Sequence, residues 1–119
     1  MEIFKVYKFD AAHRLPEVGN DHKCAEVHGH SFRVEIHASG PVDARFGWVI
    51  DFAGIDKAFQ PLIDQLDHKY LNEIEELMNP TSENIARWIW KRLHLTLPQL
   101  RKIVVQESPD TGCIYRGDE

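Results

Sequence analysis

Two histidines separated by one glycine are the clearest candidates for functional residues in this 119-residue chain. His28 and His30 enter a strand-like run, and because side chains alternate along a strand, both rings must point to the same face. That face continues as an apolar surface at Phe32, Val34, Ile36 and Ala38. Neutral imidazoles partly shielded from water are typical ligands of Zn²⁺. The pair alone is equally compatible with two ordinary histidines at the start of a strand.

A third histidine favours a metal site. His13 ends the first strand-like run of the chain, and antiparallel pairing of the two runs would place it beside His28 and His30. Three imidazoles leave one coordination position open, which is typical of catalytic zinc sites. A structural site would draw on cysteine, and the chain has only two, Cys24 and Cys113. We therefore predict a reactive zinc site.

Size and composition predict one globular domain that spans residues 1–119. Hydrophobic residues make up 43% of the chain and charged residues 28%, as in ordinary soluble proteins. The formal net charge of −5 argues against a general nucleic-acid-binding protein, which presents a basic surface. The N-terminus has no signal pattern, and no apolar run is long enough to cross a membrane. We therefore expect a cytoplasmic protein with no nucleic-acid partner and no membrane contact.

The remaining patterns predict an α+β fold with the element order ββααββ. Helical spacing of apolar residues begins at Phe52, and Pro61 should kink that helix or split it in two. A second helix should begin with Thr81 as its N-cap, followed by strand-like runs over 101–108 and 113–116. We expect a four-stranded antiparallel sheet with both helices on one face. The first strand has apolar residues on both of its faces, which indicates either a bulge or a strand that is covered on both faces. In the second case, another subunit would cover the face that the helices do not.

Five motifs occur in order along nearly the whole chain. They are residues 9–15 (Phe-Asp-Ala-Ala-His-Arg-Leu), Cys24-x3-His28-Gly29-His30, residues 66–68 (Leu-Asp-His), residues 79–84 (Asn-Pro-Thr-Ser-Glu-Asn) and Glu107. Together they resemble the 6-pyruvoyl-tetrahydropterin synthase family, which includes 6-carboxytetrahydropterin synthases. The resemblance implies the tunnelling fold, in which ββααββ subunits form a barrel as a trimer and stack as a hexamer. It also implies that active sites lie between subunits of this homo-oligomer.

The resemblance implies a zinc-dependent lyase that acts on a pterin triphosphate. His13, His28 and His30 would hold the zinc, which would polarise the hydroxyl groups of the substrate side chain. Cys24 would remove a side-chain proton as a thiolate, a form that a nearby cation favours. The alternative for Cys24 is a small apolar core residue, although its polar sequence neighbours argue against that.

Two further groups complete the site that the resemblance implies. Asp67 and His68 would form the second proton-transfer group, although an adjacent Asp-His pair alone is more typical of a solvated helix end. Glu107 shares the parity of an apolar strand face, where a carboxylate is costly unless paired. In the family its partner is the two-donor edge of the pterin, a contact that Thr81 and Ser82 would supplement.

The triphosphate requires positive charge despite the acidic total. Candidates for this contact are Arg14, Lys23 and Arg116. We assign no chemical role to the other three histidines, His22, His37 and His94.

Within the family, the three-residue gap between Cys24 and His28 and the terminal residues 113–117 resemble the carboxy branch. That branch converts 7,8-dihydroneopterin triphosphate to 6-carboxy-5,6,7,8-tetrahydropterin on the route to 7-deazaguanine and queuosine, and it releases acetaldehyde and triphosphate. The alternatives are the pyruvoyl branch, which eliminates triphosphate, and a non-catalytic zinc- or pterin-binding protein on the same fold. Glu26 leaves one more alternative function, because some relatives with a glutamate near the zinc histidines release side-chain fragments of the substrate for folate synthesis.

Overall fold

Two strands, two helices and two further strands follow one another along the chain. The computed structural model describes all residues, 1–119. Its strands are β1 (Glu2–His13), β2 (His28–Ser39), β3 (Leu100–Ser108) and β4 (Thr111–Tyr115), and its helices are α1 (Phe52–Leu66) and α2 (Ser82–Leu93). The strands form one antiparallel sheet in the order β1-β2-β3-β4. The predicted element order ββααββ is therefore confirmed.

The hydrophobic core lies between the sheet and the two helices. α1 packs against β1, and α2 packs against β3 and β4. The inner face of the sheet buries the alternating residues that the period-2 pattern predicted, among them Phe32, Val34, Ile36, Ile103 and Val105. The helices contribute residues at helical spacing, among them Ile55, Phe59, Leu62, Ile85 and Ile89. Neither helix is long and apolar enough to cross a membrane.

The helix starts agree with the sequence, and of the two effects predicted for Pro61, a kink or a split, the split does not occur. Thr81 caps α2, because its Oγ1 accepts a hydrogen bond from the Asn84 amide at 3.1 Å. The prediction that Pro61 splits the first helix is wrong, since α1 runs without interruption from Phe52 to Leu66. Pro61 lies on the exposed side of α1. Water can there hydrogen-bond to the carbonyl group that loses its helical partner because proline has no N–H.

The mixed apolar pattern of β1 does not arise from a bulge. β1 pairs with β2 in one unbroken register, from Glu2 opposite Ser39 to His13 opposite His28. On the face away from the helices, Phe4 is 53% exposed and its ring stacks on that of His37 at 5.0 Å. The apolar residues of the outer face of β1, Phe4, Val6 and Ala12, therefore share that face with the charged residues Glu2, Lys8 and Asp10.

Candidate active site

The register of β1 and β2 brings three histidines together at one end of the sheet. His13 lies opposite His28, and His30 lies two residues further along β2. Their ring centroids are separated by 4.6, 4.8 and 5.1 Å. The nitrogen atoms that could bind a metal all lie within 4.8 Å of one another. Antiparallel pairing, which the sequence predicted, is therefore what assembles this cluster.

Hydrogen bonds on one side of the rings leave nitrogen lone pairs on the other. The Nδ1 atom of His13 lies 2.8 Å from the Pro80 carbonyl oxygen, and that of His28 lies 2.8 Å from the Glu26 carbonyl oxygen. A carbonyl oxygen only accepts hydrogen bonds, so each Nδ1 carries the proton. In the neutral ring, Nε2 then presents a lone pair.

The free nitrogens fit a metal ion. The Nε2 atoms of His13 and His30 are buried and have no hydrogen-bond partner, which is costly for a polar atom. Burial lowers the pKa of His13 below its ordinary value, although the hydrogen bond to Pro80 opposes this effect. A neutral ring is the form that binds metal. Three neutral imidazoles are a donor set that suits Zn²⁺ with an open coordination position.

Cys24 lies in the loop between β1 and β2, beside the histidine cluster. It lies in a single 3₁₀ turn, Lys23–Ala25. The His22 ring caps this turn, because its Nδ1 accepts a hydrogen bond from the Cys24 amide at 3.0 Å. The thiol is half-buried and does not belong to the apolar core. A cleft of about 510 Å³ is lined by Cys24 together with Lys23, His28, His30 and Glu107. This position argues against the core-residue alternative for Cys24.

Glu107 lies between the histidines and the start of α2. It continues the buried parity of Val105, and its side chain is 27% exposed. Its Oε1 accepts a hydrogen bond from the Ser82 hydroxyl at 3.1 Å, and its Oε2 lies 3.7 Å from His30 Nε2, which is too long for a hydrogen bond. Glu107 also lines an adjoining cleft of about 380 Å³ with Ser82 and Thr81. The Glu107 carboxylate therefore retains acceptor capacity toward a ligand.

Asp67 and His68 follow the end of α1. The Asp67 Oδ2 atom lies 3.0 Å from His68 Nδ1, and Oδ1 accepts a hydrogen bond from the Asp10 amide at 3.0 Å. These contacts, the Asp10 amide first, hold the pKa of Asp67 below its ordinary value. A carboxylate on Nδ1 orients the imidazole and leaves Nε2 directed elsewhere. The side chain of His68 is 77% exposed.

One chain does not bring all predicted residues into one cleft. His68 lines a third cleft of about 630 Å³, which it shares with Asp10 and Tyr70 and which excludes Cys24. Gly29 and His30 border both this cleft and the cleft that contains Cys24. Within one chain, the two candidate proton-transfer groups are therefore on opposite sides of the start of β2.

The three basic candidates occupy different environments. Lys23 is exposed and lines the Cys24 cleft. Arg116 is exposed just after β4 and lines none of the three clefts. Arg14 is half-buried, and its guanidinium donates a hydrogen bond to the Ala25 carbonyl at 3.2 Å.

Three contributors to the site had no signal in the sequence. The Pro80 carbonyl fixes the His13 ring, the Asp10 amide holds the Asp67 carboxylate, and Asn72 contacts the backbone of Arg14. Pro80 and Asp10 contribute their own backbone atoms, whose direction depends on the fold and not on residue type.

The chain matches the family described as 6-pyruvoyl tetrahydropterin synthase over residues 2–118. It is 36% identical to a protein of Synechocystis named 6-carboxy-5,6,7,8-tetrahydropterin synthase, with 95% of this chain and 91% of the relative covered. It is also 36% identical to the dihydroneopterin monophosphate aldolase of Pyrococcus furiosus, with 87% of each chain covered.

The fold has a counterpart among solved structures. The 6-pyruvoyl tetrahydropterin synthase of Caenorhabditis elegans aligns with a TM-score of 0.91 at 28% identity, covering 99% of this chain and 96% of that chain. This likeness confirms the predicted tunnelling fold of the subunit. Sequence and structure agree in one conclusion: the chain belongs to the 6-pyruvoyl tetrahydropterin synthase family.

Proposed function

We propose that this protein is a zinc-dependent lyase of the carboxy branch of its family. It converts 7,8-dihydroneopterin triphosphate and water to 6-carboxy-5,6,7,8-tetrahydropterin, acetaldehyde and triphosphate, in 7-deazaguanine and queuosine biosynthesis. The observation that carries this proposal is the cleft in which a half-buried thiol and a carboxylate adjoin converging imidazoles. The choice of branch is supported by the Synechocystis relative, which covers 95% of this chain, against 87% for the equally identical Pyrococcus furiosus aldolase.

His13, His28 and His30 hold the metal in this proposal. Zinc, when bound, supplies a Lewis acid that polarises oxygen atoms of the substrate side chain. The protein contribution is to fix the tautomer and orientation of the His13 and His28 rings, through the Pro80 and Glu26 carbonyls described above. The orphaned Nε2 atoms of His13 and His30 support this assignment.

Cys24 and the Asp67–His68 pair divide the proton transfers. Cys24 removes a proton from the substrate side chain, since its half-buried thiol faces the cleft that the metal ligands line. His68, oriented by the Asp67 carboxylate, delivers or accepts the second proton at its Nε2.

The separation of these two groups in one chain supports an oligomeric site. Cys24 and His68 line different clefts, and the His68 side chain is largely exposed. We propose that His68 acts in a site completed by a neighbouring subunit of a homotrimer or homohexamer. Of the three basic candidates, Lys23 and Arg116 are exposed and remain available for the triphosphate, and a neighbour can supply further positive charge.

Glu107 anchors the pterin ring. Its carboxylate accepts hydrogen bonds from the N3–H and 2-amino groups, an edge with two donors that two carboxylate oxygens match. Ser82 already donates to Oε1 and so holds the carboxylate in place. Thr81 supplements this contact from the adjoining cleft wall.

Turnover by the purified protein tests this function against a non-catalytic binding protein. We expect consumption of 7,8-dihydroneopterin triphosphate with release of acetaldehyde and triphosphate in equal amounts. Triphosphate release without acetaldehyde would support the pyruvoyl branch, to which the Caenorhabditis elegans structure belongs by name. Binding of the pterin with no turnover in the presence of zinc would overturn the enzymatic assignment.

Substitution of Glu107 by glutamine should weaken pterin binding without changing zinc content. Glutamine keeps the shape but replaces one acceptor oxygen with a donor, which opposes the donors of the pterin edge. Loss of a charge-assisted hydrogen bond costs roughly 1.5–3 kcal/mol, which corresponds to about ten- to a hundredfold in affinity. Calorimetry with a pterin ligand measures this change. Glu75→Gln, on the exposed surface, is the matched control, and unchanged affinity in Glu107→Gln would remove the carboxylate as anchor.

A further inference from the structure

The edge of β1 that does not pair with β2 is hydrogen-bonded to the segment between α1 and α2. Asp10 accepts a hydrogen bond from the His68 amide at 2.6 Å, and its own amide donates to Asp67 Oδ1 at 3.0 Å. Two residues further along β1, the Ala12 amide donates to the Lys69 carbonyl at 3.0 Å. This spacing of two residues is that of an added strand, so the segment fixes the end of β1 on its outer side.

The side chain of Asn72 continues this series where the backbone of the segment turns away. Its Oδ1 accepts a hydrogen bond from the Arg14 amide at 2.9 Å, and its Nδ2 donates to the Arg14 carbonyl at 2.8 Å. Nδ2 also donates to the Met78 carbonyl at 3.2 Å. One side-chain amide therefore replaces a complete backbone pair and fixes both peptide groups of Arg14.

Arg14 and Leu15 in turn hold the turn that carries Cys24. The Leu15 amide donates to the Cys24 carbonyl at 2.7 Å, and Arg14 Nη1 donates to the Ala25 carbonyl at 3.2 Å. Two successive carbonyls of the Lys23–Ala25 turn are thus tied to the end of β1. The rest of the loop from Pro16 to Asp21 forms no strand or helix that could restrain this turn.

We propose that Arg14 and Asn72 are positioning residues for the Cys24 thiol. This inference rests on the proposed function only for the role of Cys24. Asn72 fixes the backbone of Arg14, and the Arg14 guanidinium together with the Leu15 amide fixes the 3₁₀ turn beside the metal ligands. We assign the Arg14 guanidinium to this turn and not to the triphosphate, because Arg14 is half-buried and its guanidinium is hydrogen-bonded to the Ala25 carbonyl. A misplacement of about 1 Å can reduce catalysis by about a hundredfold.

Arg14→Met tests the proposal because methionine retains an apolar stem and removes the guanidinium. Amide hydrogen exchange of the segment that contains Cys24 should accelerate by about tenfold or more, since a hydrogen bond from a charged donor is lost. The kcat for 7,8-dihydroneopterin triphosphate should fall by about ten- to a hundredfold, with KM within about twofold of the wild type. Zinc content should not change.

Two further variants complete the experiment. Arg101→Met is the matched control, since Arg101 is an exposed arginine of β3 far along the chain from this turn, and all readouts should equal the wild type. Asn72→Asp keeps the acceptor for the Arg14 amide and loses both donated hydrogen bonds. It should accelerate exchange in the same segment and lower kcat in the same direction, at a thermal midpoint that shows a folded protein.

The outcomes separate the positioning role from a phosphate contact. A raised KM in Arg14→Met, with kcat and exchange rates unchanged, would overturn the proposal and assign Arg14 to the triphosphate. Unchanged exchange in both variants would also overturn it. A wild-type protein without turnover would contradict the proposed function alone, because the exchange rates measure the restraint on the turn without any substrate.

Discussion

Replacing Cys24 with alanine should abolish most of the turnover while the protein still binds zinc and pterin. The thiol is proposed to transfer a proton and not to bind the metal. The candidate metal-binding group consists of His13, His28 and His30 and does not include Cys24. A positioned acid or base contributes about a hundred- to ten-thousandfold to a rate, so kcat should fall within that range. Steady-state kinetics measure this loss, alongside zinc content and calorimetric pterin affinity on the same sample.

Cys24→Ser provides the matched comparison. Serine keeps nearly the size of cysteine, but its hydroxyl does not form an anion near neutral pH as a thiol beside a cation does. It should therefore lose turnover almost as completely as Cys24→Ala. Near-normal kcat in either variant would return Cys24 to a packing role, which its half-buried position outside the core does not favour.

His28→Ala should lose zinc and activity together. Zinc sites with four protein ligands in small domains have a binding free energy of about 10–16 kcal/mol, or about 3 kcal/mol for each ligand. Loss of one ligand should therefore weaken zinc affinity by about a hundredfold. The wild-type protein should contain about one zinc per chain. Metal analysis after dialysis and a chelator competition measure content and affinity, respectively.

His94→Ala is the control for this experiment. His94 is exposed after α2, and its Nδ1 contacts only the Trp90 carbonyl, at 2.8 Å. Its removal should leave zinc affinity unchanged. Full zinc occupancy in His28→Ala, under conditions in which the control is also full, would exclude His28 from the ligand set.

Side-chain periodicity was sufficient to predict the elements that form the histidine cluster. The alternation that places His28 and His30 with Phe32 on one face is local, and antiparallel pairing with β1 then brings in His13. The N-cap at Thr81 is equally local, because a hydroxyl three residues before its amide partner defines the start of a helix. These features depend on a few adjacent residues and so are visible in sequence.

Features that depend on exposure or on distant backbone could not be predicted in this way. Pro61 remains inside α1 because it lies on the exposed side, which its own identity does not reveal. His37 occupies the polar parity of β2 and yet is 7% exposed, because it lies between Glu2 and Glu35. The role of Asn72 depends on a contact with Arg14, from which it is separated by 58 residues in the sequence.

The mass of the pterin product tests the central claim most directly. The zinc-loaded protein, incubated with 7,8-dihydroneopterin triphosphate, should yield 6-carboxy-5,6,7,8-tetrahydropterin, identified by mass spectrometry and accompanied by acetaldehyde. The three-residue gap between Cys24 and His28 and the terminal residues 113–117, which resemble the carboxy branch, predict this product. A 6-pyruvoyl-tetrahydropterin product, or an unconsumed substrate, would contradict the account.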